Sequence, residues 1–258
     1  MKRIFLYIIA LLIVQELAAQ SSPLMNRWSY HTAFLMRKNK YESGIVQPFR
    51  YGLSNRVEID ANVLQMCVVP NAGVKVFLAA PGGFQMASEH GIQYNTLLFK
   101  LLSRKGTGGI LSPQFSFPNM FTISNSFVVT KLVFDTAYVS ARAGVYLSMR
   151  DGFLDPLATI DFPLIYPRTS HLFNTCTFRL GADIRGKIKR SWGYWFDVQF
   201  FVVPVHEHNF FMENTGTIMC NLGKNFRLKA GYKLCYGDYP FGKQWHLLPT
   251  LDLVFGSK

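Results

Sequence analysis

Between residues 226 and 236 the chain alternates without a break, with Phe226, Leu228, Ala230, Tyr232, Leu234 and Tyr236 on one side and Arg227, Lys229, Gly231, Lys233 and Cys235 on the other. A period of two predicts a strand with one apolar face. The stretch 244–255 repeats it, setting Trp245, Leu247, Pro249, Leu251, Leu253 and Phe255 against Gln244, His246, Leu248, Thr250, Asp252 and Val254. Upstream, 57–63, 137–149 and 192–202 carry the same alternation, and 172–184 does so with Asn174 as an exception on its apolar side. Weaker strands are predicted over 30–37, 45–51, 73–80, 84–101 with an interruption, 122–134 and 209–222, while 154–166 is either another strand or a long excursion. The expected total is ten to fourteen strands, with an even number, twelve, favoured for an antiparallel ring. Composition places turns at Ser54-Asn55, Pro81-Gly82-Gly83, 185–191, 222–225 and 237–243. No internal repeat, linker or second domain is visible.

Alternation alone also fits a soluble β-sandwich, whose outer face would be dense in Lys and Glu. Here the second face holds Gly, Ser, Thr, Asn, Tyr and isolated charges, which suits the inside of a barrel. Composition moves the balance the same way: 49% of the chain is hydrophobic, 15% aromatic and only 16% charged, against about 25% charged in ordinary domains. Aromatics gather at predicted strand ends (Trp192, Tyr194, Phe210, Phe211, Tyr236, Tyr239, Trp245), as in the interfacial girdles of membrane barrels. Beyond the first twenty residues no apolar stretch has the length of a spanning helix, so a membrane-integral chain must be a closed barrel.

The N-terminus reads as a secretory signal peptide: Lys2 and Arg3, an apolar run over 4–14, then small residues around Ala18-Ala19, with cleavage expected near Ala19. The domain expectation is therefore a signal segment over 1–19 and a barrel over 20–258. Loss of Lys2, Arg3 and Glu16 lowers the formal charge of +12 by one. A basic exported chain points to anionic lipid head groups, lipopolysaccharide or acidic solutes rather than to nucleic acid. Cys67, Cys176, Cys220 and Cys235 lack metal-ligand spacing, and their pairing cannot be read from the sequence.

These features, with the phrase Tyr51-Gly52-Leu53-Ser54-Asn55-Arg56-Val57-Glu58-Ile59 and the closing Leu251-x-Leu253-x-Phe255, resemble the outer-membrane β-barrel proteins of Gram-negative bacteria. The resemblance implies an all-β antiparallel transmembrane barrel in the outer membrane, both termini in the periplasm, and insertion by the barrel-assembly machinery. That machinery is thought to read a terminal aromatic residue, whereas this chain continues past Phe255 with Gly256-Ser257-Lys258. The resemblance brings no catalytic residues, because the class hosts many activities.

The alternation would project thirteen charges into the lumen: Arg56, Glu58, Asp60, Lys75, Arg142, Arg179, Asp183, Arg185, Asp197, Arg227, Lys229, Lys233 and Asp252. Arg227, Lys229 and Lys233 make a basic stripe on one strand, and with Arg142 and Arg179 they are the expected solute-contacting residues. Structural pairing of the same cations with Asp183, Asp197 and Asp252 is the alternative. His206-Glu207-His208 lacks a third metal ligand nearby, and His31, His90 and His246 read as hydrogen-bonded lumen or loop residues. Ser140, Ser148, His171, Asp161 and Asp183 show no nucleophile-elbow spacing, and Gly106-Thr107-Gly108-Gly109 lacks the Lys-Ser/Thr ending of a phosphate loop. Three readings result: a porin-like passive channel for small, anionic solutes without enzymatic activity, metal or cofactor; a structural or lipid-interacting barrel with a plugged lumen; and an outer-membrane enzyme.

Overall fold

The alternating stretches become strands in the order β1 (Tyr41–Gly44), β2 (Phe49–Gly52), β3 (Val57–Ala61), β4 (Asn71–Ala79), β5 (Phe84–Tyr94), β6 (Met120–Phe134), β7 (Ala137–Arg150), β8 (Cys176–Lys189), β9 (Trp192–Val202), β10 (Phe210–Asn221), β11 (Phe226–Tyr239) and β12 (Gly242–Gly256). This computed structural model describes residues 30–106, 110–134, 136–189, 191–205, 208–223 and 225–257. The expected signal segment, His206-Glu207 and Thr107-Gly108-Gly109 lie outside the described residues. Each strand pairs antiparallel with its neighbours in sequence, and β1 closes the ring on β12, giving the expected twelve. β8 also runs through much of the turn predicted over 185–191, as far as Lys189.

Strand register sorts the side chains as the period of two requires. Phe127, Phe178, Leu180, Ile218, Leu247 and Leu251 stand exposed on the outside, whereas Glu58, Lys75, Thr130, Ser140, Asp183 and Glu213 are buried inside. At one end of the wall Tyr94 meets Phe121 and Tyr236 meets Trp245, with ring centroids 4.9 and 4.6 Å apart. Two of the expected girdle aromatics, Phe211 and Tyr239, instead face inward and are fully buried. β1 begins, and the described C-terminal end lies, at the end of the ring that carries the short turns 53–56, 80–83 and 222–225. The opposite end carries longer connections over 62–70, 95–119 and 151–175, with α1 (Thr96–Leu102) and α2 (Tyr166–Asn174).

Four sequence expectations change here. The second half of 84–101 is α1, and residues 166–174 are helical, so Leu172 and Asn174 belong to α2 and β8 starts only at Cys176. That is why Asn174 broke the alternation. Residues 45–51 hold the turn between β1 and β2 rather than one strand. Residues 30–37 form no strand of the wall.

The wall is uneven in height. A membrane strand needs about 9–11 residues; β6 to β12 have between 11 and 15, whereas β1, β2 and β3 have 4, 4 and 5. β12 pairs with β11 from Gly242 to Phe255, but with β1 only from Val254 to Gly256. The Ile45 amide extends that seam by one bond to the Leu253 carbonyl, at 3.3 Å. Beyond this point, among the described residues, the edge of β12 facing away from β11 has no strand beside it, which leaves a notch above the β1–β2 hairpin. Asp252 pins the hairpin down: its carboxylate accepts the amides of Val46 and Gln47, each at 3.0 Å.

A lumen divided by the N-terminal segment

Residues 30–37 run into the lumen from the short-turn end, and the wall holds them through backbone groups. Met36 N–H donates to Glu58 Oε2 (2.6 Å), Ala33 N–H to Thr130 Oγ1 (2.7 Å), and Lys75 Nζ donates to the Thr32 carbonyl (2.7 Å). Ala33 also packs on Ala87 and Val128, small apolar residues at inward positions, and Phe34 meets the edge of Tyr138. At the rim the segment passes so close to β2 that a Cβ on Gly52 would lie 2.1 Å from the Arg37 carbonyl oxygen. Asn39 and Lys40 exchange backbone bonds with Gly52 there, which gives the glycine of the Tyr-Gly-Leu-Ser-Asn phrase its physical role.

The inner tip of the segment is Tyr30-His31. The His31 ring stacks on Trp195 with centroids 5.1 Å apart, and its Nδ1 lies 2.7 Å from Arg142 Nη1. Guanidinium has only donors, so Nδ1 accepts and the ring is neutral with its proton on Nε2. Burial first, then the Arg142 charge, holds the His31 imidazole well below its ordinary pKa. His31 also has a φ of 64°, a left-handed conformation that a non-glycine residue keeps only where its surroundings enforce it.

The opposite end is closed by apolar packing. Phe99 of α1 sits in a buried cluster with Leu111, Met120, Leu154, Ile160 and Leu172. α2 lies across the mouth, with Tyr166 packed on Phe201, Phe211 and Tyr239, and Arg168 bound to Glu213, which also receives Lys233 Nζ at 2.9 Å. His171 of α2 stacks on Tyr146 at 5.6 Å. The Asn95 amide donates to Thr122 Oγ1, and the Thr122 hydroxyl and His171 Nε2 share a hydrogen bond, both at 2.6 Å. Burial pushes the His171 pKa down to about 4, so this imidazole is neutral at ordinary pH.

Between plug and cap lie two cavities, of about 250 and 440 Å³, which share Tyr30, His31, Tyr146 and Arg179 in their walls. The inner tip of the segment therefore partitions the lumen. Around the smaller cavity five of the seven lining charges are paired: Arg50 grips Glu58 through two bonds of 2.7 and 2.8 Å, and Lys75 and Arg142 share Glu89 at 3.2 and 3.3 Å. The larger cavity differs. Arg179 donates to Gln199 Oε1 (2.9 Å) and to the Tyr146 hydroxyl (3.1 Å), and Lys229 donates to Gln47 Oε1. Neither cation has a carboxylate within 4.0 Å among the described residues.

Of the five expected solute-contacting residues, Arg179, Lys229 and Lys233 line the larger cavity and Arg142 and Arg179 the smaller one. The β11 stripe is divided by its partners. Arg227 lies 3.8 Å from Glu42 and Lys233 is committed to Glu213, while Lys229 bonds the Gln47 amide oxygen and lies over the Tyr30 ring. The pattern of alternation did not single out Glu42, Arg50, Glu89 and Glu213, which supply most of the neutralising contacts; Arg50, Glu89 and Glu213 fell inside stretches with weak signals. His90 lies on the outer face beside Ser88 and Asn125, with its ring nitrogens 3.1 and 2.6 Å from them, rather than in the lumen or a loop. The four cysteines are unpaired.

A closed, even-numbered antiparallel ring, apolar outside and polar inside, with short turns at one end and long loops at the other, is the architecture of a Gram-negative outer-membrane β-barrel. No protein-family model matches the sequence, and no curated protein matches it either. Among solved structures the chain is similar to a bacterial polysaccharide outer membrane secretin, at 10% identity over 84% of this chain and 70% of that one, with a TM-score of 0.47. It is also similar to the outer membrane channel DcaP of Acinetobacter baumannii (10% identity over 82% of this chain and 62% of that one, TM-score 0.36) and to a Pseudomonas aeruginosa FadL homologue (11% identity over 84% of this chain and 66% of that one, TM-score 0.35). The matches span less than two thirds of the DcaP and FadL-homologue chains, and the barrel class rests on the closed ring itself.

Proposed function

We propose that this protein is an outer-membrane barrel that passes small solutes through a gated lumen. The observation that carries this reading is the pair of cavities, each with charged side chains in its walls, on either side of Tyr30 and His31; a barrel plugged only for structural reasons would fill that space with side chains. The gate is residues 30–37 at one end and α2 at the other. Anion preference in this reading comes from Arg179 and Lys229 rather than from the whole β11 stripe. Outer-membrane lipid and lipopolysaccharide surround the apolar belt, and the barrel-assembly machinery inserts it.

A second reading, a lumen closed for good, is favoured by the ion pairs around Glu58, Glu89 and Glu213. Single-channel recording in a planar bilayer separates the two, with heat-dependent gel mobility as the control for folding. Gated, anion-selective steps support the channel, and a folded protein that stays silent even with the plug weakened contradicts it. Arg179→Glu should change the ion preference more than Arg227→Glu does.

A further inference from the structure

We propose that the notch beside β12 is a lateral entrance and that the larger cavity behind it holds a small amphipathic anion. Its oxyanion would sit at Arg179 and Lys229, and its apolar chain would lie toward Val46, Pro249 and Leu251. The proposal rests on the reading of the chain as a membrane-embedded solute barrel and adds both the class of ligand and its route.

Three observations converge. The axial route is obstructed at both ends, by residues 30–37 bound to Glu58, Lys75 and Thr130 and by α2 bound through Arg168 to Glu213. The wall is low on one side only, where β1 and β2 stop after four residues and β12 continues past them. The cavity reaches that side: Val46 of the low turn and Pro249 and Leu251 of the uncovered strand line it together with Arg179 and Lys229. Leu251 is 69% exposed and Val46 57%, so the mouth is apolar where the membrane would meet it.

The chemistry inside is graded from that mouth inward. Lys229 lies 5.6 Å from the centroid of the Tyr30 ring and bonds Gln47, and among the described residues Arg179 bonds Gln199 and Tyr146. The buried Arg179 guanidinium, held by neutral acceptors, keeps its charge available to a ligand oxyanion, and the Lys229 amine adds a donor beside it, whereas Arg168 and Lys233 are committed to Glu213. A volume of about 440 Å³ is within the range of small-molecule sites. Irregular or unpaired backbone at membrane depth is tolerated where it lines such a cavity.

The test is calorimetric titration of the full-length barrel in phosphatidylcholine nanodiscs, with empty discs as the blank and laurate, acetate and dodecanol as probes. Laurate should bind at least tenfold more tightly than either acetate, which lacks the tail, or dodecanol, which lacks the charge. Arg179→Gln and Lys229→Gln should each weaken laurate at least tenfold, Arg179→Lys should restore part of the loss, and Arg227→Gln should stay within twofold. Leu251→Trp should slow association of laurate from the bilayer at least tenfold while leaving Kd within threefold. Acetate or dodecanol binding as well as laurate overturns the ligand class, unchanged binding in folded Arg179→Gln overturns the site, and an unchanged association rate in Leu251→Trp overturns the lateral route. Laurate binding by a protein that never conducts would remove the channel reading and leave this one standing; conductance without laurate binding would do the reverse.

Discussion

The tall side of the ring and its low side are held by different forces. β10 and β11 face each other through eleven residue pairs, from Phe211 to Asn221 on one strand, so cross-strand contacts are spread along the whole wall. β1 meets β2 through only two pairs, and its hairpin is fixed by a few polar groups: Asp252 on the turn amides, Arg50 clasped by Glu58, and the backbone of residues 36–40 across Gly52. Stability on the tall side is distributed, and on the low side it is concentrated in single residues. That concentration is what makes the low side suited to movement, since local opening there breaks few contacts.

Substitutions should expose the difference. Glu58→Ala leaves the buried Arg50 guanidinium without its bidentate partner and frees the Met36 amide, at a cost of about 3–5 kcal/mol; the gel-mobility transition should fall sharply and residues 30–37 should become open to protease. His171 tests the cap through pH. Its folded pKa of about 4 lies below the ordinary histidine value, so the closed form loses stability as pH falls from about 6.5 toward 4. The loss should reach about 3 kcal/mol, seen as faster hydrogen exchange in α2, and His171→Gln should flatten the profile. Asp252→Ala removes the acceptor for two turn amides and should cost about 2 kcal/mol, read as hydrogen exchange confined to 45–48. On the tall side Tyr232→Ala removes a ring that covers Gly216 and a hydroxyl bonded to Asn214 at 3.0 Å; the expected loss is only about 1 kcal/mol, with no change in plug protection.

The same contrast explains what the sequence disclosed. The long alternations at 137–149, 192–202, 226–236 and 244–255 are strands β7, β9, β11 and β12 because a two-residue period repeated five or more times has one sensible interpretation. Four-residue strands such as Tyr41–Gly44 carry too few repeats to be recognised. Residues 30–37 have apolar and polar positions enough to resemble a strand, but their backbone bonds go to wall side chains far away in sequence, Thr130 being 97 residues distant from Ala33. The lumen charges were legible as a set, since alternation fixes their side of the wall. Their partners were not: that Lys233 is neutralised and Arg179 is left to amide and hydroxyl groups depends on which strands stand opposite and on an arginine that arrives from α2.

The central claim is that residues 30–36 obstruct the bore, and single-channel conductance of the folded wild-type barrel against a variant lacking 30–36 tests it most directly. With α2 still across the other mouth in both proteins, the account predicts small or rare steps for the wild type and larger, more frequent ones for the deletion, with both proteins showing the gel shift of a folded barrel. Equal conductance from the two folded proteins would contradict it.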